Sequence, residues 1–310
     1  MDSGKLGGYS NLQCFLDCTT PTVEIQFLSK HSFSAWQTPG AETVKYFNLG
    51  ELWDQYYEWS AYGAGTRVRL PDGETLVQYY VPYLSAIQLY TNKPFTPSRF
   101  VHTAFRRDNI SLKSLNGDHR NEYAKLSTSW NGGAWDARKS FGHLCFEFFE
   151  VCSPYGRVPF VDKVYELAHY FSGLTSLTSA ELSPASWMSV AWYPIYQIPA
   201  KRNVKDLSTC FLTYHTISAS FQDIYFQKFT KDTLCYSDEK ESETKSEENW
   251  NNVSLTPFGL ATYKLEGSLW INPETGDSEK IASLFSAADS WLKQLGVHHH
   301  DFNYFSTHSI

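Results

Sequence analysis

The segment HHHDFNYF near the end of the chain is the densest cluster of side chains that could bind a metal ion. His298, His300 and Asp301 supply the imidazole and carboxylate groups that zinc prefers. Consecutive side chains of a helix or strand point in different directions, so a single-ion site would need an irregular backbone. We therefore predict no metal site here, and we expect the segment to pack its aromatic side chains against the core.

Cys145 together with His143 or His215 has the residue types of nucleophilic cysteine catalysis. Cys145 lies in the apolar segment LCFEFFEV, where a buried and unreactive thiol is the usual outcome. The sequence contains no GxSxG, HExxH or phosphate-loop motif. We assign no catalytic residue and expect no cofactor, although a site assembled from distant residues would leave no such motif.

A basic residue precedes a predicted helix in the segment SPYGRVPF. Arg157 stands before the free N–H groups of a helix that begins near Phe160, and the two together could bind an anion. If this loop and the loop that follows Pro199 share one end of a sheet, their basic groups form a pocket for a phosphate or carboxylate. The alternative is that Arg157 pairs with an acid such as Glu150 or Glu58. The candidate anion-binding residues are Tyr155, Arg157, Lys201, Arg202 and Lys205.

The segment SWMSVAWYPIYQIP is rich in aromatic residues and proline. As a strand it places Met188, Trp192 and other apolar residues through to Ile198 on one face, which we expect to be core. The other face has small side chains between aromatic ones, and either a helix of this chain or a ligand or partner segment covers it. Pro194 donates no hydrogen bond, which predicts a sheet edge or a bend. The candidate aromatic interaction residues are Trp187, Tyr193 and Tyr196.

Composition limits the classes of partner. The net charge is -7 and the sequence contains no basic run, which argues against nucleic acid as the partner. The first ten residues, MDSGKLGGYS, lack the apolar stretch of a secretory signal, and no apolar run is long enough to cross a membrane. We therefore expect a protein of the cytoplasm or nucleus whose six Cys residues are free thiols.

The periodicity of apolar residues predicts the fold class. Helical spacing predicts helices that begin near Leu49, Phe160 and Asp277, and alternation predicts several strands that are separated mostly by turns. This order favours an α+β fold with a mainly antiparallel sheet of about five to seven strands and several packed helices. We expect one domain over residues 1–310, with an irregular insertion at about 92–142 and a solvated acidic loop at about 237–251.

Several long segments resemble a known family. They are NLQCFLDCTTP, LGELWDQYYEWSAYGAG, VQYYVPYLSAIQLY, SPYGRVPF, LSPASWMSVAWYPIYQIP, DLSTCFLTYHTIS and HHHDFNYF. Together they are similar to the plant family known as domain of unknown function number 789, across most of the chain outside the two irregular segments. The resemblance implies a plant origin and one large domain, and it carries no activity, cofactor or catalytic residue with it. The family pattern has Pro where His300 stands, which implies that the triple His is incidental to any shared role.

Two hypotheses for function remain. The first is a non-enzymatic protein-binding module that engages its partner through aromatic, Pro-containing sheet edges. The alternative is an enzyme or small-molecule binder that acts on an anionic ligand near Arg157. The arrangement of Arg157 and of the aromatic candidates in the folded chain distinguishes the two.

Overall fold

A computed structural model gives the fold, and it describes residues 8–29, 43–91, 110–111, 141–200, 205–219 and 251–307. The strands are β1 Thr22–Glu24, β2 Gln26–Ser29, β3 Thr43–Tyr46, β4 Ala64–Arg69, β5 Thr75–Thr91, β6 Ile110–Ser111, β7 His143–Phe149, β8 Trp187–Ile198, β9 Cys210–Thr216, β10 Asn252–Ser254 and β11 Gly259–Tyr263. The helices are α1 Asn11–Cys18, α2 Leu49–Asp54, α3 Tyr57–Tyr62, α4 Phe160–Tyr170, α5 Gly173–Ser176, α6 Gly267–Trp270, α7 Asp277–Leu295 and α8 His300–Thr307.

A seven-stranded antiparallel sheet forms the centre of the fold. Its strand order is β11-β9-β8-β5-β7-β6, and β4 also pairs with β5. Two small antiparallel sheets, β1 with β10 and β2 with β3, accompany it. This architecture confirms the predicted α+β class and the predicted number of strands.

Helices cover both faces of the sheet. On the first face, Met188, Val190 and Trp192 of β8 pack into a large apolar core with residues of α1 to α6. On the second face, Trp187 and Ala191 pack into a smaller core with α8 and the second half of α7. The second face is therefore the one with small side chains between aromatic ones, and helices of the same chain cover its central part.

The helix starts agree with the predicted periodicity. Helix α4 begins at Phe160, and α7 begins at Asp277 and ends before Gly296, which has a left-handed φ of 65°. The helix that was expected to begin near Leu49 is instead two short ones, α2 and α3. The chain tightens between them because the N–H of Tyr56 bonds the carbonyl of Trp53, three residues back rather than four.

Two β-bulges interrupt the pairing of β5 with β8. The register shifts between Leu84 and Ala86, where Ser85 is the extra residue, and again between Tyr79 and Tyr80, where Ile195 is the extra residue. A bulge changes which side chains face each side of the sheet downstream of it. The prediction that Met188 to Ile198 share one core face is therefore wrong beyond Pro194, because Tyr196 and Ile198 lie on the second face and are exposed.

The two irregular segments lie almost entirely outside the described residues. Only 110–111 and 141–142 of the expected insertion, and residue 251 of the expected acidic loop, are described. Within the described ranges, no helix is long and apolar enough to span a membrane.

Candidate functional site

Arg157 anchors the loop between β7 and α4 to the C-terminal helix. Its two terminal nitrogens donate to the two carboxylate oxygens of Asp301, each at 2.7 Å, and its Nε donates to the carbonyl of Cys152 at 2.9 Å. The guanidinium also lies 5.9 Å from the centre of the Tyr193 ring. The Arg157 side chain is only 2 % exposed, so its polar atoms face other parts of the chain.

The Asp301 carboxylate is buried but well supplied with donors. Besides Arg157 it accepts a hydrogen bond of 2.5 Å from the Ser85 hydroxyl. Burial alone raises the pKa of Asp301, but the hydrogen bonds and charge of Arg157, with the Ser85 bond, outweigh it and hold the pKa below its usual value. Asp301 is therefore ionised at neutral pH, and the two opposite charges neutralise each other inside the fold.

His299 continues this network toward the centre of the sheet. Its Nε2 lies 2.9 Å from the Ser85 oxygen, and its Nδ1 lies 2.7 Å from the Tyr214 hydroxyl. An ionised carboxylate only accepts, so Ser85 gives its proton to Asp301 and must accept from the Nε2–H of His299. Nδ1 of His299 then accepts from the Tyr214 hydroxyl, so each donor in this network has an acceptor. Burial lowers the pKa of His299 to about 4, which agrees with this neutral form.

The network has the residue types of a hydrolase but not the arrangement. In a serine hydrolase triad the acid orients the His, whereas here Asp301 bonds the Ser directly and Tyr214 occupies the other nitrogen of His299. Ser85 is fully buried. A substrate therefore cannot reach its hydroxyl, and the arrangement serves to bind α8 and its preceding turn to the sheet.

Of the predicted anion-binding residues, the structure describes the side chains of Tyr155 and Arg157, and these two do not converge on one pocket. The structure realises the alternative in which Arg157 pairs with an acid, and that acid is Asp301 rather than Glu150 or Glu58. Glu150 instead accepts the backbone N–H groups of the two residues that follow it. Tyr155 points away from the body and is fully exposed. Lys201 and Arg202 lie outside the described residues, and Lys205 begins a short 3-10 turn in which its side chain is not described.

The three metal candidates contact other side chains of the C-terminal segment. His298 bonds the side chain of Asn303, and His300 lies 3.6 Å from the Asp301 carboxylate that Arg157 occupies. Among the residues that the structure describes, no three His, Cys, Asp or Glu side chains are placed to hold a metal ion.

The three aromatic candidates lie in different environments. Trp187 is fully buried and its indole N–H donates to Gln88 at 3.0 Å, so its assignment to an interaction surface is wrong. Tyr193 is half-buried, between Arg157 and the edge of the Phe305 ring of α8. Tyr196 alone is well exposed, at 43 %.

An apolar surface extends past the end of α8 on the second face of the sheet. We call it the open face, and its members are Val77, Tyr79, Ile195, Tyr196 and Ile198. Tyr79 and Tyr196 stack with ring centres 4.5 Å apart, and the Tyr196 hydroxyl donates to the Tyr62 carbonyl. Ile195 is 46 % exposed and Ile198 is 56 % exposed. Such adjacent exposed apolar side chains are typical of interaction sites.

Local backbone features produce the open face. Gly65 of β4 has no side chain, and a Cβ there would lie 3.2 Å from the Tyr79 ring, so the missing atom lets the ring lie over the strand. The bulge at Ile195 turns Tyr196 toward Tyr79. Strand β9 pairs with β8 only as far as Trp192, so within the described ranges Tyr193–Tyr196 has a strand neighbour on one side only.

Comparison with known proteins identifies the family to which the chain belongs. The sequence profile of a family described as protein of unknown function (DUF789) matches residues 10–305. The chain belongs to this family. The match to DUF789 spans Arg157, Asp301 and the whole open face, so both features fall within the part that defines membership. No curated protein and no solved structure matches the sequence.

Sequence reasoning missed Ser85 and Tyr214 as members of the buried network. His299 was visible only as one of three consecutive His residues. The one available signal was Ser85 itself, a polar residue that interrupts an otherwise apolar alternation in β5.

Proposed function

We propose that this chain is a non-enzymatic protein-binding module that receives an extended segment of a partner protein on the open face. The observation that carries the proposal is the exposed cluster around Tyr79 and Tyr196, where the second face of the sheet continues beyond its helical cover. Large aromatic side chains supply most of the binding energy at protein interfaces.

The neighbouring sheet edge supports an extended partner. Residues Tyr193–Tyr196 pair with β5 on one side, and a strand added beside them on the other side would extend the sheet. Side chains of such a strand that point to the second face would meet Tyr196 and Ile198. The edge would then supply backbone hydrogen bonds and the open face would supply side-chain contacts.

The buried network supports this proposal over the anionic ligand. Arg157 gives its hydrogen bonds to Asp301 and Cys152, and its side chain is almost completely buried. The network makes the covered part of the second face rigid, since it binds α8 against Ser85 and Tyr193. A rigid surface lowers the conformational entropy that this chain itself must lose when a partner binds.

We place the module in the cytosol or nucleus of a plant cell. The described Cys residues, Cys14, Cys18, Cys145, Cys152 and Cys210, are free thiols. Free thiols are typical of reducing compartments, which supports this location. The plant origin rests on the resemblance to the family.

Selection from a displayed library of random peptides tests the proposal. The full chain should enrich a set of peptides, and a Tyr196→Ala variant should bind them at least about tenfold more weakly, a loss of about 1.4 kcal/mol. A Tyr57→Ala variant is the matched control, because Tyr57 is 65 % exposed in α3 and lies outside the open face. Peptides that bind the Tyr196→Ala variant as well as the unaltered chain would refute the proposal.

A further inference from the structure

We propose, resting on the protein-binding function above, that the partner segment combines apolar side chains with Asp or Glu. The acidic side chains would meet Arg67 and Arg69 of β4, which border the open face. A partner segment that contains no acidic residue would contradict this inference.

The register of the β4–β5 hairpin places the two Arg residues. Arg67 pairs directly with Val77, and Arg69 pairs with Thr75. Directly paired residues of an antiparallel sheet project from the same face, so both Arg residues belong to the face that carries Val77 and Tyr79. Both are exposed.

The charged side chains on the strands of the open face have one sign. Strands β5 and β8 contain no Asp, Glu, Lys or Arg over their whole length. Among the described residues, no carboxylate forms an ion pair with Arg67 or Arg69. Asp72 and Glu74 lie in the turn beyond Arg69, and Asp72 accepts the backbone N–H of Glu74. The strands of the open face therefore present two cations beside an apolar surface.

An acidic peptide complements this surface better than a nucleic acid does. Aromatic rings beside Arg are also found where proteins bind single-stranded RNA. The net charge of this chain is -7, however, and RNA binding relies on an extended basic surface. A peptide with a few carboxylates needs only the local pair of cations, because the screening length in salt is about 8–10 Å.

Charge reversal of the two Arg residues tests the inference. Peptides selected on the full chain should be enriched in Asp and Glu on either side of an apolar core, and their affinity should fall as salt is added. An Arg67→Glu/Arg69→Glu variant should bind these peptides at least about tenfold more weakly and should select peptides rich in Lys and Arg instead. A Lys163→Glu/Lys293→Glu variant is the control, since both Lys residues lie on helices outside the open face.

The outcomes separate this inference from the proposed function. Peptides that depend on Tyr196 but have no acidic enrichment, and that bind the charge-reversed variant equally well, would refute the inference and leave the protein-binding function intact. Failure of the chain to select any peptide that depends on Tyr196 would refute both. Retention of random-sequence RNA oligonucleotides by the full chain, lost on charge reversal, would overturn the inference in favour of nucleic acid.

Discussion

Arg157 and Asp301 are 144 residues apart in the sequence, and two hydrogen bonds of 2.7 Å join them in a buried ion pair. The pair connects the loop after β7 to the first turn of α8. Because α8 covers part of the second face, this contact also determines where the cover ends and the open face begins. The bond between two distant segments thus positions the candidate binding surface.

Removal of the negative charge should strongly destabilise the fold. An Asp301→Asn substitution keeps the size of the side chain but leaves the buried Arg157 charge without a partner, and this costs about 3–5 kcal/mol of unfolding free energy. Urea denaturation measures the loss. An Asp289→Asn substitution is the control: it breaks a more exposed pair with Lys293 and should cost about 0.5 kcal/mol or less. Equal effects of the two substitutions would contradict the importance of the buried pair.

The hydroxyl of Tyr214 should contribute to stability, whereas that of Tyr56 should not. Tyr214→Phe leaves Nδ1 of the buried His299 without its donor, which costs about 1–3 kcal/mol. The Tyr56 hydroxyl is also buried but has no hydrogen-bond partner among the described residues, so Tyr56→Phe should be neutral or stabilising. Thermal unfolding of the two variants compares them directly. No loss for Tyr214→Phe would contradict the hydrogen bond from Tyr214 to His299.

Stability should fall as the pH decreases from about 6.5 to 4. Burial lowers the pKa of both His299 and His215 from 6.5 to about 4 in the folded chain. Between these values the unfolded chain binds the proton and the folded chain does not, so acid favours unfolding. Each His contributes up to about 1.4 kcal/mol per pH unit. Asp301, whose pKa is also lowered, adds a further loss at still lower pH.

Unfolding free energies from urea titrations across this pH range test the two His residues. A His299→Asn variant should keep only the His215 contribution, so its slope should be smaller by up to about 1.4 kcal/mol per pH unit. A slope that the substitution does not change would mean that His299 is not held neutral in the folded chain.

The two aromatic residues that the sequence grouped together should behave differently when replaced. Trp187 is fully buried in the second core, so Trp187→Ala should cost about 3–5 kcal/mol. The Tyr196 side chain is exposed and makes one ring contact and one hydrogen bond with described residues, so Tyr196→Ala should cost about 1 kcal/mol or less. Chemical denaturation distinguishes these values. A severe loss for Tyr196→Ala would indicate that the open face is part of the core.

Periodicity predicted the two longest helices and the class of sheet but not the side that each residue faces. The apolar stripes that begin at Phe160 and Asp277 predicted α4 and α7, and alternation predicted an antiparallel sheet. Ser85 and Pro194 indicated an irregularity in their strands, but a bulge has no distinctive sequence, so the register shifts at Ser85 and Ile195 could not be predicted. Those two shifts decide that Ser85 meets His299 and that Tyr196 is exposed.

The sequence also could not identify the acidic residue that pairs with Arg157. Electrostatics required an acid near a buried guanidinium, and the sequence offered nearby Glu residues as candidates. The residue that pairs with it follows 144 positions later, in a segment whose three His residues suggested metal chemistry instead. Contacts between distant segments depend on tertiary packing, which local periodicity does not encode.

Hydrogen–deuterium exchange of the full chain, with and without a selected peptide, tests the central claim most directly. If the partner segment adds to the sheet, exchange should slow in Tyr193–Ile198 and in β4, where the edge and the open face lie. The buried network around Asp301 should exchange slowly in both states. Slowing confined to the loop around Tyr155 and Arg157, with no change in Tyr193–Ile198, would contradict the claim that the open face is the binding surface.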